Sequence, residues 1–308
     1  MEIVTTMTKL LLAIAAGFFL RKRGVLSKDT DSGMSQVILQ VSMPALILGS
    51  ASGLNTPDAA LSSDAVLRLI WLGFLFYALM VPLAWLLARF LKTAVNLRGT
   101  TMLMLMFPNA VFMGYPVVSA FLGREAVFYT TVFHLPFNLL FFTLGLYLIQ
   151  KDHNPEHRFS LGNFLTPGVV ASLAAIILYF SGLNLPSLLT ESLGFIGSLT
   201  PPLSLVVIGS GLAANSLREL FGQHRLYWIS LLRLFLIPLG AMLLTRVFLN
   251  NPMAIQVVAL TVAMPIASAV GMGSAQYPEQ GKFAAQAVGL TTLLAMLSIP
   301  LWFAFIGG

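Results

Sequence analysis

The side chains of this sequence that could do chemistry are few, and most of them lie within long apolar segments. The chain has no cysteine, which excludes disulfides, thiolate catalysis and cysteine metal sites. We find no nucleophile elbow, no phosphate-binding loop, no zinc-binding His-x-x-Glu-His motif and no acid pair within an apolar segment. We therefore expect a protein that is not an enzyme and needs neither a cofactor nor a metal.

The remaining polar residues are grouped around helix-breaking residues. One apolar segment contains the run FPNAVFMGYP, from Phe107 to Pro116. Its two prolines and its glycine weaken the backbone hydrogen-bond ladder, so this helix should be interrupted. The free N–H groups and the positive end of a half-helix attract anions, and Asn109 adds a donor and an acceptor. The run therefore predicts an anion site.

A second interrupted helix is expected at MPIASAVGMGS, from Met264 to Ser274. Paired breaks in matching helices of two inverted halves mark the binding sites of transporters. Either break alone could be an ordinary kink, but the matched pair favours a site. Proline bends in VSMPA and LTPPLS either shape the substrate-facing wall or only kink their helices. The predicted substrate-binding residues are Pro108, Asn109, Met113, Gly114, Tyr115, Pro116, Pro265, Ala267, Ser268, Gly271, Ser274, Ser42, Pro44 and Ser204.

Ionisable groups inside apolar segments are functional candidates, because burying them in a membrane is costly. Arg233 could compensate an anionic substrate, cap helix ends, or extend along the helix to the membrane surface. His134, close to Asn138, could carry a coupling proton or be a hydrogen-bonded structural residue. No Asp or Glu lies well inside a segment, which argues against a proton or sodium antiporter of the buried-aspartate kind.

Composition places all these residues in a membrane. Hydrophobic residues make up 57% of the 308 residues and charged residues only 9%, against about a quarter charged in soluble domains. Apolar runs of about 18 or more residues, long enough to cross a bilayer, recur down the sequence. The predicted fold is an all-α integral membrane protein with ten transmembrane helices. Their expected bounds are 4–20, 34–51, 66–90, 99–121, 126–149, 164–181, 192–214, 226–249, 253–275 and 282–305.

The basic residues predict the orientation in the membrane. The net charge is +6, but the Lys and Arg residues lie in short loops, so they should face lipid headgroups and not nucleic acid. Twelve lie in one set of loops and three in the opposite set. This asymmetry predicts a cytoplasmic-membrane protein with both termini outside. The first apolar run ends in RKR at 21–23, without a small-residue cleavage site, so it should be retained as a helix.

The sequence repeats itself weakly at an offset of 157 residues: the run RLxW at 68–71 recurs at 225–228, and Pro108 falls on Pro265. Five helices per half is an odd number, so the second copy should enter the membrane upside down. Inverted repeats are typical of alternating-access transporters, although a duplication kept only for packing is the alternative. The predicted organisation is a first repeat at 1–150, a cytoplasmic linker at 151–163 and a second repeat at 164–308.

The run NAVFMGYP at 109–116 is similar to the Asn-x-x-Phe-x-Gly-x-Pro stretch of the auxin efflux carrier family, which includes plant PIN proteins and bacterial organic-acid carriers. The resemblance covers the whole chain, with a short central loop as in the bacterial members. It implies a scaffold domain of helices 1, 2, 6 and 7 and a transport domain of helices 3–5 and 8–10. As in bile acid–sodium symporters, which share this fold, helices four and nine would cross. Substrate would lie beside Asn109, the prolines Pro108 or Pro116, and Pro265.

The resemblance also implies a function: secondary transport of a small organic anion such as malonate, malate or indole acetate, by alternating access. That anion and the lipid bilayer are the expected partners, and a homodimer stays open. One alternative is a sodium-coupled, bile acid-like symporter, although the sodium-site acids of those proteins have no evident counterpart in this sequence. The other alternative is a channel or receptor-like membrane protein. Substrate identity, transport direction and the coupling ion stay open.

Overall fold

The computed structural model describes residues 2–52, 54, 62–153, 165–214, 222–274 and 277–307. Within these residues every regular element is a helix, apart from one isolated antiparallel bridge between Pro108 and Ile266. Five helices in the described part are long and apolar enough to cross a membrane, and three shorter ones are apolar as well. The prediction of an all-helical membrane protein is confirmed. The predicted linker at 151–163 lies outside the described residues from residue 154 onward.

The helices follow the order of the predicted segments and are numbered accordingly, with the parts of an interrupted helix marked a and b. Their bounds are α1 Glu2–Lys22, α2 Lys28–Ala51, α3 Ser63–Phe90, α4a Arg98–Met106, α4b Ala110–Leu122, α5 124–153, α6 Pro167–Ser181, α7 Ser187–Ala214, α8 His224–Phe248, α9a Pro252–Val262, α9b Ser268–Ser274 and α10 Pro278–Gly307. Single π-helical turns interrupt the α-helical geometry of α2, α4b, α5 and α8.

Two helices begin earlier than their apolar runs predicted. α2 begins at Lys28 and not at residue 34, because Ser27 caps it: the Thr30 N–H donates to Ser27 Oγ at 3.2 Å. α7 begins at Ser187 and not at residue 192, directly after Pro186. Hydropathy locates only the part of a helix that lies in hydrocarbon, so polar first turns are missed.

The predicted interruptions of α4 and α9 are present but shorter than expected. α4 is broken at 107–109 and α9 at 263–267, whereas the sequence placed the breaks at 108–116 and 265–273. Pro116 does not break its helix, because it lies in the first turn of the α-helical stretch Tyr115–Leu122, just after a π-helical turn. Gly271 likewise continues α9b without a break.

α1 and α7 pack with almost no space between their backbones. A Cβ on Gly17 would lie 2.0 Å from the carbonyl oxygen of Val206, and one on Gly209 would lie 1.9 Å from that of Ile14. α2 packs against both α6 and α7. α3, α4a and α5 pack together, as do α8, α9a and α10. Small residues therefore set the spacing of the pair α1–α7, as is common between helices in membranes.

Gly17→Ala is expected to destabilise the protein by about 1–3 kcal/mol, because even a methyl group at this position meets the backbone of α7. Thermal unfolding of the purified protein in detergent measures the loss. Gly240→Ala is the matched control, since a Cβ on Gly240 of α8 meets nothing within 4 Å. Equal melting temperatures for the two variants would contradict the close contact between α1 and α7.

Candidate functional site

The two interrupted helices cross at their breaks, and each supplies the other with backbone hydrogen bonds. The Asn109 N–H donates to the Pro265 carbonyl at 2.8 Å, and the Ala267 N–H donates to the Phe107 carbonyl at 3.0 Å. Within a membrane no water replaces the bonds lost at a break, so a broken helix persists only where other groups bond its backbone. Each break contains a proline, which has no N–H that needs a partner.

Arg233 of α8 lies at the C-terminal ends of α4a and α9a. Its Nη2 donates to the Val262 carbonyl at 2.7 Å, and its Nη1 is 3.5 Å from the Leu105 carbonyl. Both carbonyls belong to the last turn of a half-helix, where carbonyls lack intrahelical partners and carry partial negative charge. The side chain is 0% exposed, so it does not extend to the membrane surface. The contacts are those of a helix cap.

Asn109 holds the opposite, N-terminal ends of the crossing. Its Oδ1 accepts a hydrogen bond from the Phe112 N–H at 3.3 Å, at the start of α4b. Its Nδ2 donates to Ser268 Oγ at 3.0 Å, at the start of α9b. The side-chain amide thus links both half-helices, and each of its polar atoms has capacity for one further hydrogen bond.

A cavity of about 400 Å³, here called the crossing cavity, lies against these N-terminal ends. Its walls come from α2, α4b, α5, the start of α6 and α9b. The polar side chains in its lining are Asn109, Gln40 and Thr166, and the rings of Phe137 and Phe141 cover another part. A mostly apolar cavity with a few convergent polar groups is typical of a small-molecule site.

A second cavity of about 550 Å³ adjoins the first and shares Leu39, Phe112 and Met272 with it. It extends between α2, α7, α9b and α10 to the charged beginning of α2, where Lys28 and Asp31 lie in its wall. The two cavities thus share part of their lining, and the second one has a polar end at the beginning of α2.

Five of the predicted site residues line these cavities. Pro108, Asn109 and Ala267 line the crossing cavity, and Ser268 and Gly271 line the second cavity. They come from two helices that are far apart in the sequence, and the crossing brings them together. Their role in binding a substrate stays a prediction.

Four other predicted residues, all in α4b, do not line the cavities. Met113, Gly114, Tyr115 and Pro116 are buried within α4b packing, where the Tyr115 hydroxyl accepts a hydrogen bond from Thr131 Oγ1 at 3.2 Å. These four residues line neither the crossing cavity nor the second cavity.

Three further predicted site residues, Pro265, Ser274 and Ser42, also line neither cavity. Pro265 contributes its backbone carbonyl to the crossing. Ser274 is buried at the end of α9b, and its Oγ has no hydrogen-bond partner among the described residues. The Ser42 hydroxyl accepts from Thr200 Oγ1 at 3.0 Å, between α2 and α7.

Within the proline bend of α2 only Met43 lines the crossing cavity. Ser204 donates to the Thr200 carbonyl of its own helix, and Pro44 lies in the first turn of the α-helical stretch Met43–Ala51. Neither residue lines the crossing cavity or the second cavity. The contacts of Ser204 and Pro44 fit the alternative that these prolines only kink their helices, and a role in shaping the wall stays a prediction.

His134 is buried and hydrogen-bonded. Its Nδ1 lies 2.7 Å from the Tyr77 hydroxyl, and the rings of Phe133 and Phe137 pack against the imidazole edge-on. Its Nε2 has no partner in the part of the chain that the structure describes. This geometry fits the structural alternative, and the proton-carrying role stays a prediction. The side chain of Asn138 lies outside the described part, although its backbone belongs to α5.

Sequence reasoning missed two polar residues of the crossing cavity. Thr166 caps α6, and its Oγ1 accepts from the Val169 N–H at 3.3 Å. The run TPG at 166–168 was the available signal, since Thr followed by Pro is a typical helix start. Gln40 belongs to the π-helical turn of α2. No sequence signal marks Gln40, because its position depends on which face of α2 meets the crossing.

The described residues form an apolar, all-helical structure with two crossed, interrupted helices, which is typical of membrane transporters. The profile of the family described as membrane transport protein matches residues 2–160 and again residues 156–303. The chain belongs to this family, the membrane transport family of the auxin efflux carriers. The resemblance seen at 109–116 is thereby confirmed.

Two archaeal proteins are similar to the chain over nearly its whole length. One is an uncharacterized transporter of Methanothermobacter thermautotrophicus, 26% identical over 300 residues that cover 96% of both chains. The other is an uncharacterized transporter of Methanocaldococcus jannaschii, 25% identical over 299 residues that cover 95% of both chains. Both names state transport without a substrate.

Proposed function

We propose that this protein is a secondary transporter that moves a small organic anion across the cytoplasmic membrane by alternating access. The observation that carries the proposal is that two helix beginnings meet at the crossing cavity. α4b contributes Ala110 and Val111 of its first turn, and α6 contributes its cap Thr166 and the following two residues. Helix beginnings carry partial positive charge and free N–H groups, which favour a carboxylate. The described lining includes no acid that would repel one.

The rest of the lining suits a substrate with a small hydrocarbon part. Phe137 and Phe141 lie on one side of the cavity, and Met43 and Met272 lie on others. A cavity of about 400 Å³ is near the lower end of the usual range for ligand sites, roughly 300–1,000 Å³. A dicarboxylate or an aromatic acetate therefore fits better than a bulky sterol.

Further observations support the proposed inverted repeat, its division into domains and its orientation. The antiparallel bridge pairs Pro108 with Ile266, 158 positions further on, within one residue of the sequence offset. The packing of α1 against α7, and of α2 against α6 and α7, supports a scaffold domain beside a transport domain. The twelve-to-three charge asymmetry supports outside termini, and external labelling of a cysteine at position 184 would test that orientation.

The function is tested in two stages on the purified full chain. Thermal unfolding is measured first with malonate, malate and indole acetate, each beside its uncharged amide. At least one acid should raise the melting temperature while its amide does not. Counterflow of that acid into proteoliposomes then tests transport. Stabilisation by no organic anion, or ohmic flux without counterflow, would contradict the proposal; an absolute requirement for sodium would favour the symporter alternative.

A further inference from the structure

We propose that the groove between the end of α3 and the beginning of α8 binds an anionic phospholipid, with its phosphate beside Lys92 and Arg225. The groove has a volume of about 540 Å³ and lies away from the crossing. One end is basic, with Lys92, His224 and Arg225 in its wall. The remainder is lined by leucines and two aromatic rings, Phe90 and Trp228. The proposal does not depend on the proposed transport function.

The basic end is free to take an anion. Lys92, His224 and Arg225 are all exposed, and in the described part of the chain none of them forms an ion pair: the pairs found there are Arg21–Asp31 and Arg68–Asp64. Lys92 also has a positive φ of 49°, a conformation that usually selects glycine or asparagine at a helix end. A lysine therefore stands at a position where glycine, which has no Cβ, would be less strained.

The apolar part continues along the two helices. A further cavity of about 380 Å³ shares Leu87, Leu232 and Leu236 with the groove, and its lining contains no polar side chain. It reaches Leu79 of α3, thirteen residues from Lys92. At 1.5 Å per residue this distance is roughly 20 Å, enough for an acyl chain across one leaflet of about 15 Å.

This combination selects a phospholipid and not another ligand. Basic pockets between helices at the membrane surface bind anionic headgroups, and arginine matches phosphate through two parallel hydrogen bonds. Trp228, which is 57% exposed at the same end, is the residue type that lies at the level of the headgroups. A soluble anion could use only the basic end, and a neutral lipid only the apolar end.

The first experiment measures binding of dioleoyl phosphatidylglycerol and dioleoyl phosphatidylcholine to the purified full chain by native mass spectrometry. Lys92→Gln/Arg225→Gln should bind phosphatidylglycerol on the order of thirtyfold more weakly, because each basic residue near a membrane surface contributes to anionic-lipid binding. Phosphatidylcholine binding should not change. Lys22→Gln/Lys151→Gln, which removes two basic residues outside the groove, should behave as the unmodified chain. Unchanged phosphatidylglycerol affinity in the first variant would overturn the proposal.

The second experiment tests the apolar part with Gly240→Leu. Gly240 lines the 380 Å³ cavity, and a Cβ added to it meets no atom within 4 Å, so a larger side chain should enter the cavity with little effect on the fold. We expect at least fivefold weaker phosphatidylglycerol binding and an unchanged melting temperature. Gly33→Leu, at a position where an added Cβ also meets nothing within 4 Å, should bind normally. Full affinity in Gly240→Leu would show that no acyl chain occupies the 380 Å³ cavity. Displacement of the lipid by equimolar inorganic phosphate would show that the site takes phosphate alone. Either result would overturn the lipid assignment.

Discussion

Asn109→Ala is expected to weaken binding of the substrate anion by about ten- to a hundredfold. The amide of Asn109 links both half-helices and lies in the wall of the crossing cavity. A hydrogen bond to a charged ligand contributes about 1.5–3 kcal/mol, and about 1.4 kcal/mol corresponds to a factor of ten in affinity. Calorimetry on the purified full chain, with the acid that the thermal panel identifies, measures the effect.

Asn251→Ala is the matched control for the loss of a helix cap. Asn251 caps α9a through its Oδ1, which accepts the Ala254 N–H at 3.2 Å, and it lines neither cavity. Each variant loses one N-cap, worth about 1 kcal/mol. Asn109→Ala also loses the hydrogen bond to Ser268 Oγ, so its melting temperature should fall further than that of Asn251→Ala. Asn251→Ala should keep its affinity for the anion, whereas Asn109→Ala should lose it. Asn138→Ala should weaken binding of the anion less than Asn109→Ala does. Unchanged affinity in a folded Asn109→Ala variant would remove Asn109 from the site.

The breaks of α4 and α9 could be predicted from the sequence because proline and glycine act locally. A proline removes one N–H wherever the helix lies, so Pro108 and Pro265 marked their breaks without any knowledge of packing. The consequence of the breaks could not be predicted in the same way. The bond from Asn109 to the Pro265 carbonyl and the contacts of Arg233 with two half-helices join distant parts of the chain. Such contacts leave no local pattern.

Serine hydroxyl groups, unlike prolines, could not be assigned a role from the sequence. A serine inside an apolar segment can bond a carbonyl of its own helix as readily as a ligand, so its presence alone does not predict a site. Ser204 bonds the Thr200 carbonyl, and Ser42 bonds the Thr200 side chain, whereas Ser268 bonds Asn109 beside the cavity. All three serines were predicted to bind substrate, and only the packing of the helices shows which of them lies beside a cavity.

Arg233→Met is expected to lower the free energy of unfolding by about 1–3 kcal/mol, because it leaves the Val262 carbonyl, 2.7 Å from Nη2, buried without its donor. The Leu105 carbonyl, 3.5 Å from Nη1, loses a weaker contact. Methionine keeps much of the length of the side chain and fills the same space, so the change is mainly the loss of charge and hydrogen bonds. Thermal unfolding in detergent measures the loss. Arg246→Met is the matched control, since Arg246 lies exposed in the last turn of the same helix.

Affinity for the anion separates the two roles that remain open for Arg233. If the guanidinium compensated the substrate directly, Arg233→Met would unfold at the normal temperature and lose its affinity. Because Arg233 caps α4a and α9a and lines neither cavity, we expect the reverse: lower stability, with affinity in the folded fraction kept within a few-fold. Arg233→Lys should recover only part of the stability, because an ammonium keeps the charge but lacks the rigid fork that bonds two carbonyls at once. A normal melting temperature for Arg233→Met would contradict the cap and return Arg233 to the substrate site.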